Sequence, residues 1–196
     1  MTIKAIALDQ ATVKTGWCFG SPSLPLIEWK SGKFSAPKRD EEGEKLIIIE
    51  DSVLALIDQF NPDVLIYESP VDPTVHAIRA AAAGKPMDVR FSAKTMQKLQ
   101  RVKAAIIMAA ARRSIPTEEY QPRSWQAFFK LPSSKPIGAP DNWKKRAVMA
   151  ALKQMGFKPE SLDESDAIGL CFYALHGKAG VKRATDDLFE KGRARL

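Results

Sequence analysis

Two short apolar runs in this chain each close on a carboxylate, and an apolar helical segment opens on two more. Residues 3–8 end at Asp9, residues 64–67 end at Glu68, and Asp163 and Asp166 stand just ahead of Ala167-Ile168-Gly169-Leu170. Apolar runs this short, bounded by turn signals, suit strands better than helices. Because every one of the four acids ends or begins an element, a fold built from those elements could bring all four to one edge. Clustered carboxylates repel one another and are tolerated mainly where divalent cations neutralise them. The chain therefore has to fold around a concentration of negative charge.

The order of elements narrows the architecture. Residues 3–8, 15–20 and 26–34 read as three strands of a meander, separated by turn-forming residues and a Ser-Pro-Ser segment. From Glu42 to Phe60 the period changes: Leu46, Ile49, Val53, Leu56, Ile57 and Phe60 recur at helical spacing, and Asn61-Pro62 stops the helix. Residues 63–68 form a buried strand. Residues 70–90 carry prolines, a glycine and an alanine tetrad and read as a long loop or partly helical flap. Ser92 can cap a helix to about Arg113 whose buried stripe includes Leu99, Val102, Ile106 and Ala110. Residues 115–120 give another strand, 123–131 a short helix and 132–140 a loop. Residues 142–155 form a helix ended by Gly156, and the last helix begins near Leu162. The sum is an α/β chain with a mixed five-stranded sheet, a three-strand antiparallel meander plus parallel strands, flanked by helices. One domain over residues 1–177 with a basic tail over 178–196 is the expected organisation.

The surroundings of the acids are basic. Thirty Lys and Arg against twenty-three Asp and Glu leave a formal charge of +7, which favours nucleic acid or another polyanion as partner. Cys18 and Cys171, far apart in apolar segments, read as small buried hydrophobes rather than a disulfide. No secretory leader is legible, and no run approaches the roughly 20 apolar residues of a membrane span. A soluble, cytoplasmic protein is the expectation.

Hydrolysis of a phosphodiester needs an activated water, stabilisation of charge at phosphorus and help for the departing oxygen, and two cations about 4 Å apart can supply all three. Oxygen ligands on rigid elements would suffice from the protein. Asp163 and Asp166, three apart, share a helical face. Singly, each acid has an ordinary alternative: Asp9 as a turn residue, Asp163 as a helix cap. Jointly, acids at the rim of a core call for a reason.

The same residues carry a family resemblance. Residues 6–17, an Asp-bearing strand followed by Thr15-Gly16 at the next strand, resemble the first hairpin of the RuvC-like Holliday junction resolvases of the RNase H-like superfamily. Where that family usually has Pro-Gly after the first Asp, this chain has Gln10-Ala11. Leu65-Ile66-Tyr67-Glu68 is similar to the strand that delivers the family's catalytic Glu, and Asp163-Glu164-Ser165-Asp166-Ala167 to the paired acids of its final helix. The segment from Thr95 to Ala111 and then Ile115 to Pro122 is similar to its long helix and next strand. The resemblance spans roughly residues 3–177. It implies Mg2+-dependent cleavage of four-way DNA junctions by a homodimer, with two ions per site (Mn2+ able to substitute) and Asp9, Glu68, Asp163 and Asp166 as catalytic, metal-binding acids. It also implies that a basic helix ahead of the last acids lies near the cleaved strand, which makes Lys145 the candidate catalytic or phosphate-binding lysine.

Candidate DNA contacts follow from charge. Lys94, Lys98 and Arg101 partly share a helix face, and Lys144 and Arg146 flank Lys145 in a dense triplet. Arg79, Lys85, Arg90 and Phe91 give the flap a basic character with one ring that could stack on a base. Trp125, Phe128 and Phe129 recur at helical spacing and read as core or dimer packing. Two alternatives remain: a related nuclease acting on flaps or other branched DNA, and an actin-like or sugar-kinase-like phosphate-binding protein. The latter needs a second glycine-rich phosphate loop, and none is visible.

Overall fold

The computed structural model describes residues 2–11, 13–37, 41–70, 93–131 and 136–177. Five strands form one sheet: β1 (Ala5–Asp9), β2 (Lys14–Gly20), β3 (Lys30–Ser35), β4 (Val64–Glu68) and β5 (Thr117–Tyr120). Their spatial order is β3-β2-β1-β4-β5, antiparallel from β3 to β1 and parallel from β1 through β4 to β5. Helices cover both faces: α1 (Glu42–Phe60), α2 (Ala93–Arg112), α3 (Pro122–Phe128), α4 (Trp143–Gln154) and α5 (Leu162–His176).

Burial on both faces explains why β1 and β4 are apolar throughout instead of alternating. The side chains nonetheless sort by parity. Ile6, Leu8, Leu65 and Tyr67 pack with Ile49, Val53, Val102 and Ile106 of α1 and α2. Ala5, Ala7, Val64 and Ile66 pack with Ala167, Ile168, Cys171 and Ala174 of α5 and with Val148 of α4. The α5 side is built from small residues, so that helix lies close to the sheet. Cys18 and Cys171 are buried there as free thiols.

Most of the expected elements lie where the sequence pattern puts them. The expected third strand differs. Leu26–Glu28 is a 3-10 turn, with Glu28 N–H donating to the Pro25 carbonyl at 2.9 Å and Trp29 N–H to Leu26 at 3.2 Å, and the strand starts only at Lys30. An apolar run was the signal there, but those side chains reach the core from a turn: Leu24 and Leu26 pack against the α5-side cluster while Ile27 stands exposed. The chain stop at Asn61 is real and has a physical form. Asn61 takes the left-handed conformation (φ 45°), with its N–H donating to the Ile57 carbonyl at 2.8 Å. Ser92, His76, most of the 70–90 segment, part of the 132–140 loop and the 178–196 tail lie outside the described residues.

Candidate active site

Strand parity decides where the first two acids point. Asp9 is two residues beyond Ala7 and Glu68 two beyond Ile66, so both fall on the α5 side of the sheet. The parallel register sets Leu8 against Tyr67, and its next step sets Asp9 beside Glu68. Across the antiparallel ladder Asp9 faces Gly16. A Cβ on Gly16 would run into the main-chain carbonyl of Asp163, so the missing side chain is what lets α5 begin directly on β2. In this way Thr15-Gly16 brings the last pair of acids onto the first.

The start of α5 is fixed by three hydrogen bonds. Ser161 is the N-cap, its Oγ accepting from Glu164 N–H at 3.2 Å. The capping role weighed for Asp163 thus belongs to Ser161, and the Asp163 side chain turns to Lys145. Glu164 is buried; its Oε1 accepts from Ser31 Oγ at 2.6 Å and its Oε2 from Glu160 N–H at 2.8 Å, tying the helix to β3 and to the preceding loop. Nothing in the linear pattern separated this anchor from its acidic neighbours.

Lys145, from α4, stands among the acids. Its Nζ lies 3.1 Å from Asp9 Oδ2, 3.1 Å from Asp163 Oδ1 and 2.8 Å from Asp166 Oδ2. Asp9 and Asp166 are only 7% and 4% exposed, whereas the Asp163 side chain sits at the mouth, 34% exposed. One ammonium shared by this many carboxylates does not balance them. Burial, with the Asp9 charge next in weight, pushes Glu68 up to about 8, and the same two causes push Asp166 up to about 7, against the pull of Lys145. Asp9 is also raised, by burial above all, with Lys145 opposing. Burial works to deprotonate Lys145, but Asp9 and Asp166 outweigh it and hold its pKa above the ordinary lysine value. The lysine is firmly cationic while the carboxylates around it remain short of positive charge.

Whether these residues suit a divalent cation can be judged from the same geometry. The donors are all carboxylate oxygens, the set preferred by Mg2+ and Mn2+. Asp166 Oδ1 is buried with no hydrogen-bond partner, an oxygen held out of water with its lone pairs unused. As the side chains stand, no three His, Cys, Asp or Glu among the described residues form a ready cage, and Lys145 Nζ stands between Asp9, Asp163 and Asp166. The residues fit a hard cation in the chemistry of their donors, with Lys145 as the group that would have to yield.

Two further side chains hold the site. Trp125 of α3 donates from Nε1 to Glu68 Oε1 at 3.1 Å, and Gln10 donates from Nε2 to the Glu68 main-chain carbonyl at 2.8 Å. Packing alone was the expected role of Trp125. It is indeed core, 1% exposed, but its one polar atom is spent on an acid of the site. Gln10 stands where the resembled family usually has Pro, and no local pattern in the sequence marks its hydrogen bond to Glu68.

The expected DNA-contact residues are less concentrated. Lys144 lies over the Trp143 ring at 5.7 Å, and Arg146 Nε donates to Asn142 Oδ1 at 3.0 Å, so both stay on α4 beside Lys145 without joining the acids. Lys98 is exposed, and Arg101 pairs with Glu42 of α1 at 2.6 Å, on the other face of the sheet from α4. Lys94 belongs to α2 by its backbone. Arg79, Lys85, Arg90 and Phe91 lie outside the described residues.

Comparison with known proteins places this arrangement. No family profile matches the sequence, and no curated protein matches it. Solved structures do. Thermus thermophilus RuvC in complex with a Holliday junction substrate superimposes with a TM-score of 0.60 at 15% identity, over 89% of this chain and 96% of that one. The same organism's RuvC in a second structure gives 0.57 at 16% identity, over 90% and 97%. The yeast mitochondrial Holliday junction resolvase gives 0.53 at 12% identity, over 91% and 80%. The chain has the RuvC-type, RNase H-like fold. The mixed five-stranded sheet with flanking helices is the architecture expected from the sequence. At such low identity the RuvC-like likeness is one of architecture, and the chemistry rests on the side chains described above.

Proposed function

We propose that the protein is a metal-dependent endonuclease that resolves four-way DNA junctions by paired phosphodiester cleavage, acting as a homodimer. The observation that carries this reading is the convergence of Asp9, Glu68, Asp163 and Asp166 around Lys145 at one end of a RuvC-type sheet. The +7 charge of the chain supports a polyanionic substrate around that acidic site.

Asp9, Glu68 and Asp166 are the residues that would hold Mg2+, with Asp163 as a more exposed fourth ligand, and two bound ions, or Mn2+ in their place, would activate water and stabilise charge on the phosphoryl group and the departing oxygen. The protein's own part is positional. Asp9 and Glu68 project from adjacent strand ends, so their spacing is set by the hydrogen-bonded ladder rather than by a loop. Asp163 and Asp166 come from a capped helix seated on Gly16. Lys145 keeps its proton, because the surrounding carboxylates hold it above the ordinary lysine pKa. Once a cation takes its place among the acids, Lys145 would serve as a positive charge for a phosphate oxygen. Lys144 and Arg146 beside it would neutralise flanking phosphates, and Lys94, Lys98 and Arg101 of α2, across the sheet from α4, would serve a more distant stretch of DNA. A dimer would set two such sites on a twofold junction, and Met108 of α2, half exposed, offers an apolar contact for a partner copy.

The test is incubation of the full chain with a synthetic four-way junction, a flap and a linear duplex, each with and without Mg2+. Symmetric nicks on the junction, lost on chelation and on Asp9→Asn, are expected. Undiminished cleavage by Asp9→Asn overturns the site; equal cutting of the flap shifts the reading to a general branched-DNA nuclease. Sedimentation of the protein with junction DNA at micromolar concentration reads the dimer, and a single monomeric species counts against it.

A further inference from the structure

We infer that Trp125 is a positioning residue for Glu68, one that fixes the carboxylate's orientation and so sets the cation affinity of the site; this deepens the metal-dependent reading above and rests on it. Three observations carry it. The Trp125 indole donates to Glu68 Oε1 at 3.1 Å across 57 residues of sequence. The ring is almost completely buried and sits against Gly169 of α5, where any Cβ would come within 3.1 Å of the Trp125 ring, 3.2 Å of Val148 and 3.3 Å of Phe129. Phe129 then meets it edge-on, with centroids 6.2 Å apart. The indole is thus wedged between α3 and α5, and Gly169 lies one turn beyond Asp166 on the same helix.

An indole N–H is a donor only, so it can serve a carboxylate and has no alternative role there. Gln10 meanwhile holds the Glu68 main chain. Clamped at its carbonyl and at Oε1, Glu68 is left with Oε2 as the oxygen whose lone pairs are not shared with the indole. A ligand fixed before binding loses little side-chain freedom when it binds, and removing a hydrogen bond that orients a metal ligand typically costs about 10–100-fold in metal affinity or activity. The same wedge joins α3 to the site, which gives a short helix between β5 and the loop a reason to carry a tryptophan.

The test uses the full chain without DNA. Mg2+ affinity is measured by calorimetry for the wild type, for Trp125→Phe and for Phe129→Leu. Trp125→Phe keeps a ring in the slot and removes the donor, and it is expected to bind Mg2+ at least about tenfold more weakly. Phe129→Leu loosens the packing without touching the hydrogen bond and is expected to melt lower with Mg2+ affinity within about twofold of wild type. A second measurement does not depend on how the Trp125 variant folds. In 15N-tryptophan-labelled wild type there are four indole N–H signals, assigned by Phe substitution of the other three, and the Trp125 signal is expected to move on adding Mg2+ further than those of Trp17 and Trp29. Equal affinity of Trp125→Phe and wild type, a matching loss in Phe129→Leu, or a Trp125 signal indifferent to Mg2+ overturns the inference. Failure of the wild type to bind Mg2+ at all overturns the metal reading itself, and the two failures are told apart by that one control.

Discussion

At the scale of single residues, the site is governed by one cation shared among too many acids. Lys145 touches three carboxylates at 2.8–3.1 Å, yet Glu68 and Asp166 stay protonated to about 8 and about 7. The sign of the resulting pH dependence is opposite to that of an ordinary salt-bridged carboxylate. Both folded-state values lie above the ordinary 4.5 and 3.8, so between those limits the folded protein binds more protons than the unfolded chain. Their contribution to stability is complete at pH below about 4 and is lost as pH rises toward 8. Thermal melts in chelator are therefore expected to fall from pH 5 to pH 8, and Mg2+ is expected to flatten that slope by supplying the missing charge; a chelated melting temperature that rises over this range refutes it. Lys145→Met separates the lysine's two tasks. Removing one partner of a buried ion pair costs about 3–5 kcal/mol, and because the Lys145 side chain is 37% exposed the loss in chelator is expected to be smaller, about 1–2 kcal/mol. The gap between chelated and Mg2+-loaded melting temperatures should widen, since the displaced ammonium no longer competes, while turnover of a junction falls by about 10²-fold or more with the loss of a charge at the phosphate. Unchanged turnover would remove Lys145 from the chemistry.

At the scale of elements, the site exists because α5 can lie flat on the sheet. Ala5, Ala7, Gly16 and Cys18 present a shallow surface, and Ala167, Cys171 and Ala174 answer it from the helix. Gly16→Ala places a methyl against the Asp163 carbonyl. The strand is held on both sides by β1 and β3, so the helix start must move. Overpacking of this kind costs about 1–3 kcal/mol. The expected signature is a moderate stability loss in denaturant melts with a disproportionate loss of Mg2+ affinity; a stability loss alone would mean that the helix start does not set the acids. This dependence also explains what the chain's linear pattern could reveal. Asp9 and Glu68 were legible because each closes an apolar strand, α1 because its apolar residues recur at helical spacing, and α5 because a long apolar stretch follows Asp166. The turn at Leu26–Glu28 was hidden by apolar residues that reach the core without a strand. Trp125, Gln10 and Glu164 were hidden for a deeper reason: they act through hydrogen bonds to residues 57, 58 and 133 positions away respectively, with Glu164 also bonded to the preceding loop, and no local period marks such bonds.

At the scale of the whole molecule, an acidic centre inside a chain of charge +7 divides the work between groups that react and groups that bind. Lys144 and Arg146 sit one residue to either side of Lys145 but do not enter the acid cluster, and their contacts are to α4 and its cap. If they meet phosphates, their effect belongs to affinity and its salt dependence, whereas Lys145 belongs to turnover. Each phosphate contact on duplex DNA steepens the dependence of log affinity on log salt by about 0.9. The double variant Lys144→Ala, Arg146→Ala is therefore expected to bind a four-way junction more weakly at low salt, with the magnitude of the salt slope reduced by about 1.8 per protomer. At saturating junction its single-turnover rate should stay near wild type, because neither side chain touches the acids. The measurement is junction binding by fluorescence anisotropy across a salt series, alongside single-turnover cleavage. An unchanged slope would place the DNA path away from the start of α4, and an unchanged slope with slower cleavage would instead tie the pair to the ordering of Lys145, since all three leave the same turn of the same helix.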